Sequence, residues 1–590
     1  MKSKSIIGAA LAAIFTVGLT TSCEDMFDIK SSRVIYEENH ELGSTADSVY
    51  TTTGILQSVR KIADRYIILG EVRGDLVDVN DLTKTSLRNL SEFNFEDDNE
   101  YLNIRDYYAV INNCNYALAK MDTTLATNNE RVMTDEYAAI LGIRAWTYMQ
   151  MAINYGKVPY YTEPITTVAD SEKEYPMLDI KGLATELIPQ LEAFKDYQLP
   201  VFTTYAERDY PVLQLVLADL YLWSGDYANA AIEYEDYLST HKAFNYTYGD
   251  ESTQTFFKGY MGFDGGAVTP VLGTGISANL TATTAAWDDY LWVDAKKGAY
   301  ENLAFITMER TSANGLVSEV GGLFFSLDNT HPLNPSAYWK EISTSQSYIK
   351  ATLDKENKKG KDYSVNAMAG GDQRRKLYTN TMSNEGKSFD VFTKFTRQDV
   401  STGETELYTP HINIYRRAIV YLRCAEAYNA FAKQLYNAGF RNEADTIATA
   451  SFNLLKDAYQ VFFPEGHVLE EELKEAFIGV HARGCGDINI DTTHYVLKPN
   501  VIAKRLYDDP EMAVNFNDTI DYIDELIIDE LAMEAALEGN RFGDLIRFAE
   551  RRGEPEFLAK RVASRKGKDH MNDDLFNKLM DKENWYLPIK

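Results

Sequence analysis

Residues 215–238, LVLADLYLWSGDYANAAIEYEDYL, constrain the fold of this chain more than any other stretch. Small and large residues alternate there as a two-helix hairpin requires. Ala218 and Ala230 let two helices approach, and Gly225-Asp226 makes the turn between them. Tyr221, Tyr227, Tyr234 and Tyr237 are large enough to fill the groove between the two. The spacing therefore predicts a pair of antiparallel helices.

Weaker versions of the same pattern appear at Ile414–Leu435, continuing through Gly439 to Ala458, and at Asp521–Arg547. Tyr101–Ala119 and Glu136–Asn154 keep apolar residues at three- and four-residue spacing, and Gly156 and Pro159 stop the second run. The repeats are irregular and interrupted, which favours a helical scaffold carrying loops over a continuous solenoid. Between Tyr246 and Pro410 the chain becomes rich in Gly, Thr, Ser and Asn, with strand-like runs at Leu303–Met308 and Gly322–Leu327. The expected fold class is mainly α, a tetratricopeptide-like helical-hairpin scaffold with a long loop-rich insertion containing short strands. Helical repeats are expected over about 46–245, 411–460 and 515–550, and the loop-rich region over about 246–410, all within one domain spanning 46–590.

The N-terminus sets the address. Lys2 and Lys4 precede an apolar run from Ile6 to Leu19, then Thr20-Thr21-Ser22 and Cys23. That order is a secretory signal peptide over 1–22, too short to span a bilayer. Leu19-Thr20-Thr21-Ser22-Cys23 is similar to a bacterial lipobox, which makes Cys23 the expected lipidation site and 23–45 a tether. Several acyl chains anchor a protein as one cannot, at about 0.8 kcal/mol per buried methylene. The acidic run Glu24-Asp25-Met26-Phe27-Asp28 would be repelled by an anionic lipid face, so membrane contact is expected through the anchor only. The net charge of −29 argues against nucleic acid as a ligand. With Cys23 lipidated, Cys114, Cys424 and Cys485 are too few and too scattered for a disulfide framework, although one bridge could form.

Several segments, in order along the chain, resemble the SusD/RagB family of outer-membrane nutrient-binding lipoproteins. They are CEDMFD at 23–28, RDYYAVINNCNYAL at 105–118, IRAWTYMQMAINYGKVPYY at 143–161 and LADLYLWSGDYANAA at 217–231. GGDQRRKLY at 370–378 is similar to a Gly-Asp-Pro-Arg-Arg motif, with Gln373 where Pro is usual. INIYRRAIVYLRCAEAYN at 412–429, DELAMEAALEGNRFGDLIRF at 529–548 and NWYLPIK, which resembles the closing strand, complete the set. The resemblance implies a non-enzymatic protein, lipid-anchored in the outer membrane and facing the cell exterior. It implies capture of a nutrient and delivery to a SusC-like TonB-dependent outer-membrane barrel. It does not fix the cargo. An oligosaccharide is the first reading, a peptide the nearest rival, and a surface hydrolase the more distant one. No HExxH, G-x-S-x-G or Walker pattern supports the last.

Sugar rings have apolar faces and polar rims, so flat aromatics beside carboxylates suit them. Trp287-Asp288-Asp289-Tyr290-Leu291-Trp292, with Tyr300 nearby, has that chemistry and is the first candidate ligand loop; packing of the loop onto the scaffold is the competing reading. Arg73, Asp75, Asp78, Asn80 and Asp81 form a second candidate, and Tyr378, Arg397 and Tyr408 a third. Asp487, Asn489 and Asp491 place oxygens at alternate positions like the opening of a calcium loop, but the glycine and bidentate glutamate of an EF-hand are missing, and a solvated turn is the simpler reading. No other cofactor is expected. Glu534, Glu538, Arg541, Asp544 and Arg547, with Arg416, Arg417 and Glu426, read as structural, pairing along helix faces at three- and four-residue spacing.

Overall fold

Helices lie where the apolar periodicity runs. The computed structural model describes residues 45–127, 130–197, 210–240, 263–264, 267–268, 302–309, 312, 315–326, 330–345, 379–384, 386–392, 394, 396–398, 405–407, 411–457 and 497–589. The chain is mainly α, and among the described residues every sheet is a two-stranded antiparallel pair. Cys23, Trp287 to Trp292, Tyr300, Gln373, Tyr378, Tyr408, Cys485, Asp487, Asn489 and Asp491 lie outside the described residues.

Helix α1 (Thr45–Glu71) packs against α2 (Arg105–Lys120) and α3 (Thr134–Tyr155). Residues 138–152 of α3 are all buried, which is why its sequence is apolar almost all round rather than striped. Gly156 ends it at φ +76, its N–H bonded to Ala152 O at 2.9 Å. The predicted hairpin follows as α4 (Leu213–Ser224) and α5 (Tyr227–Thr240). Gly225 turns the chain at φ +92, a conformation that a Cβ disfavours. Ala230 is fully buried, and the hydroxyl of Tyr234 donates across the hairpin to Asp219.

The strand β1 (Val77–Val79), in the loop after α1, and β2 (Asn302–Thr307), in the insertion, find partners far along the chain. The run Gly322–Leu327, expected as a strand, instead holds the short helix α6 (Val320–Phe324). Val320 and Phe324, four apart, are both buried, and Phe324 sets its ring edge-on to Phe392 at 5.7 Å, so a helical face wins over alternation. Then come β3 (Leu333–Pro335), the hairpin β4 (Thr379–Asn384) and β5 (Lys387–Phe392), the pair β6 (Thr396–Gln398) and β7 (Thr405–Leu407), and β8 (His411–Arg416). β3 pairs with β1, and β8 with β2.

The second hairpin is α7 (Arg417–Asn437) and α8 (Arg441–Asp457), and α7 also lies against α5 and α9 (Phe516–Glu534). Helices α10 (Arg541–Arg552) and α11 (Pro555–Ala563) follow. Residues 584–589 of the NWYLPIK segment form no strand: Lys582–Trp585 forms a 3-10 turn, and Leu587 N–H then bonds to Asn154 O of α3 at 2.8 Å. Pro588 has no N–H with which to extend a ladder. Cys114 and Cys424 are buried free thiols, and burial pushes the Cys114 thiol up to about 12.

The charged residues at 534–547 are structural, as expected, but they are buried, and their pairs mostly run between distant elements rather than along one helix face. Helix α9 stops at Glu534, and the chain turns through Leu537 (φ +63) and Gly539 (φ +85), so Glu538 leaves the helix face it was expected to share. Both glutamates converge on Arg416: Nε donates to Glu538 at 2.7 Å and a terminal nitrogen to Glu534 at 3.0 Å. Lys394 from the insertion adds a 2.7 Å bond to Glu538. Arg541 pairs with Asp75 rather than Asp544, while Asp544 pairs with Arg547, which also holds Glu426.

Candidate functional site

The loop after α1 is held from below by two buried arginines. Arg73 donates to Leu69 O at 2.9 Å, to Trp585 O at 3.2 Å and to the Asn154 side chain, and its guanidinium lies 4.3 Å over the Phe542 ring. Arg565, just past α11, donates to Gly74 O at 2.6 Å, Ser91 O at 2.9 Å and Arg73 O at 3.0 Å. Burial pulls Arg73 down to about 9 and Arg565 down to about 10. Asp75 is fully enclosed by its bidentate bond from Arg541. Arg73 and Asp75, grouped by sequence with the second ligand candidate, are therefore parts of the core.

The chain surfaces immediately afterwards. Asp78 and Asn80 are half-buried, and Asp81 and Leu82 are exposed, Leu82 by 55%. β1 is fixed by its register with β3, which sets Asp78 opposite Asn334. β3 is fixed in turn by Ser336, whose Oγ donates to Asp75 O at 2.7 Å and whose N–H donates to Leu76 O at 3.0 Å. Two prolines, Pro332 and Pro335, suit this extended segment.

Asn80 ties the two strands together. Its amide donates to His331 O at 2.9 Å and to Asn334 Oδ1 at 2.5 Å, and its Oδ1 accepts from Leu82 N–H at 2.8 Å. Asn334 uses both of its amide hydrogens, one on Asp390 O at 2.8 Å and one facing His331 Nε2 at 3.0 Å. With that nitrogen accepting, His331 carries its proton on Nδ1, toward Ser326 Oγ at 3.1 Å. The Asp390 carboxylate accepts from Thr381 Oγ1 at 2.6 Å and pairs with Lys340 at 2.5 Å. The amides are thus spent on one another and hold the loop rigidly. The acceptors are not spent: among the described residues, Asp81 has no hydrogen-bond partner and Asp78 accepts only from Val79 N–H at 2.9 Å.

This face can accept hydrogen bonds from a polyhydroxylated ligand through Asp78 and Asp81, with Leu82 offering an apolar contact. Of the sequence candidates, Asp78, Asn80 and Asp81 come together here. Arg397 lies elsewhere, opposite Glu406 in the β6–β7 ladder. His331, Asn334 and Asp390 were not found from sequence. The run His331-Pro332-Leu333-Asn334-Pro335 is a local signal for a fixed extended segment, but its pairing with 77–79, more than 250 residues earlier, leaves no local trace.

A protein-family model described as the SusD family matches residues 333–590. Solved structures share the fold over most of the chain at low identity. A SusD-like carbohydrate binding protein from Bacteroides vulgatus ATCC 8482 matches with 15% identity and a TM-score of 0.51, covering 86% of this chain and 84% of that one. A SusD superfamily protein from Bacteroides thetaiotaomicron VPI-5482 matches with 16% identity and a TM-score of 0.51, covering 92% and 98%. B. fragilis NanU matches with 16% identity and a TM-score of 0.51, covering 90% and 96%. A search of curated proteins found no match.

Proposed function

Because the chain belongs to the SusD/RagB family, we propose that it is a surface lipoprotein, anchored in the outer membrane through Cys23, that binds an oligosaccharide and passes it to a SusC-like TonB-dependent barrel. The family match over 333–590 carries this reading. The lipobox and acidic run at 19–28 support the address, and among the described residues no helix is long and apolar enough to cross a membrane. The Bacteroides vulgatus neighbour is described as carbohydrate binding, which supports the choice of cargo. Binding rather than catalysis is the role of the polar face: fixed acceptors at Asp78 and Asp81 orient hydroxyls, and the Trp287–Trp292 loop supplies stacking surface. Trp287, Asp288, Asp289, Tyr290, Trp292 and Tyr300 are proposed to share the ligand with Asp78 and Asp81.

Anchor and partner are tested together by gentle detergent extraction from the native membrane. The wild type is expected to partition with detergent and to co-purify with a large outer-membrane barrel, while Cys23→Ala is expected to be folded and released. Recovery of the wild type only as a lone monomer in several mild detergents, or unchanged partitioning of Cys23→Ala, contradicts the proposal.

A further inference from the structure

The candidate face is held by a chain of side chains whose donors and acceptors are all decided, and the chain runs through a histidine. Asn80 must turn its amide nitrogen to His331 O at 2.9 Å, since a carbonyl only accepts, and its Oδ1 to Leu82 N–H at 2.8 Å, since an N–H only donates. Asn80 therefore donates to Asn334 Oδ1. Asn334 in turn gives its nitrogen to Asp390 O at 2.8 Å, and the same nitrogen lies 3.0 Å from His331 Nε2. Backbone groups thus decide both amides, and Nε2 can only accept. The proton of the neutral ring sits on Nδ1, 3.1 Å from Ser326 Oγ.

A second proton on the ring has no place in this arrangement. It would set an N–H of Nε2 against an N–H of Asn334. Turning the Asn334 amide over would bring its oxygen against Asp390 O and its nitrogen against that of Asn80. Turning Asn80 over as well would lose both His331 O and Leu82 N–H. The ring is 1% exposed, so it does not reach water where it stands. Charged groups on the described elements packed about it have partners of their own. The Asp390 carboxylate of β5 takes Thr381 Oγ1 and Lys340, and Asp78 of β1, opposite Asn334, accepts from Val79 N–H. Arg88, in the short helix Thr85–Ser91, donates to Asn80 O at 2.6 Å. From β5 the ring also meets Phe389, 5.8 Å between centres, which has no polar side-chain atom.

We propose that His331 is a positioning residue for the candidate face and its pH sensor: the neutral ring, acting through Asn334, holds Asn80 and the 80–82 loop in place, and protonation of the ring releases that loop. The consequence for cargo, release in acid, rests on reading this face as the ligand site; the latch itself does not. The latched loop carries one proton fewer than the released one, so acid favours release. The latch is complete above the range in which a histidine ordinarily titrates, about pH 6.5, and begins to be lost as pH falls below it.

Amide hydrogen exchange of the full chain, read by mass spectrometry without any sugar and corrected for the chemical exchange rate, tests it at about pH 7.5 and about pH 5, either side of a histidine's ordinary range. A peptide over 79–84 reports the latch, through the Leu82 and Thr83 N–H groups that donate to Asn80. A peptide over 138–152 of α3, where every residue is buried, reports the fold. The wild type is expected to lose protection at 79–84 by about tenfold or more in acid while 138–152 keeps its own. His331→Gln, whose side-chain oxygen accepts from Asn334 but takes up no proton, is expected to show no such acid loss. Asn334→Ala, which cuts the ring from Asn80, is expected to be weakly protected at both pH values. Unchanged wild-type protection in acid, the same acid loss in either folded variant, or full protection of 79–84 in Asn334→Ala overturns the proposal. Failure of the ligand-site reading shows separately, as an Asp81→Ala variant that binds oligosaccharide as tightly as the wild type.

Discussion

The side-chain amide of Asn80 donates to Asn334 Oδ1 at 2.5 Å, across 254 positions of sequence. This bond joins the loop after the first helix to the insertion, and it separates two kinds of residue on the candidate face. Asn80 builds the face, whereas Asp81 is offered by it. Asn80→Ala is expected to strand Asn334 Oδ1 and the Leu82 N–H, lowering stability by about 1–3 kcal/mol and weakening oligosaccharide binding with it. Asp81→Ala is expected to leave stability within about 0.5 kcal/mol and to weaken binding on the order of tenfold. Thermal melts and titration of both variants check the pair; equal losses of stability would show that Asp81 is a packing residue.

Helix α1 carries its own control for close packing. A Cβ on Gly70 would lie 1.9 Å from the backbone oxygen of Gly539, where no side chain can move aside, whereas one on Gly54 would meet nothing within 4 Å. Gly70→Ala is expected to destabilise by about 3 kcal/mol or more. Gly54→Ala, in the same helix, is expected to stabilise by up to about 1 kcal/mol. Denaturant melts of the two decide it, and similar behaviour would mean that α1 does not meet the 537–541 turn in this register.

Glu71 gives stability a pH dependence of unusual sign. It is fully buried, with one oxygen accepting from Gly539 N–H at 2.8 Å and the other without a partner. Burial pushes its carboxyl from 4.5 up to about 7, against the weaker pull of the Gly539 N–H. A carboxyl whose folded value is raised favours the fold while protonated. Its contribution is complete below about 4.5 and is lost as pH rises through about 7. Glu71→Gln, a mimic of the protonated form, is expected to be at least as stable as wild type at pH 8 and to flatten the change between pH 5 and 7. Melting temperatures across that range test this, and a variant less stable than wild type at pH 8 would show that the charged form is the one the fold needs.

Much of the scaffold was legible because its signals are local. Gly225 and Gly439 mark hairpin turns, at φ +92 and +94, and Ala230 marks the contact between helices. The charged residues of 534–547 were correctly read as structural, but their partners were not. Arg541 and Asp75 are 466 positions apart, and nothing in the local pattern of either points to the other. The same limit applies to the candidate face. Asp78, Asn80 and Asp81 were singled out as a polar run, yet their chemistry depends on His331, Asn334 and Asp390, brought there by the β1–β3 pairing. Gly322–Leu327 was misread because a run of that length fits a strand and a single helical turn equally well.

Oligosaccharide titration of the detergent-solubilised wild type beside Trp287→Ala and Trp292→Ala tests the central claim most directly. Truncating an aromatic at the centre of a binding surface commonly costs about 2 kcal/mol or more, about thirtyfold in affinity, whereas truncating a core tryptophan costs about 3–5 kcal/mol of folding stability. The account predicts that the wild type binds an oligosaccharide, and that each variant loses it while its melting temperature stays nearly unchanged. Variants that melt easily yet bind normally once corrected for folded fraction, or a wild type that binds peptides and no oligosaccharide, would contradict it.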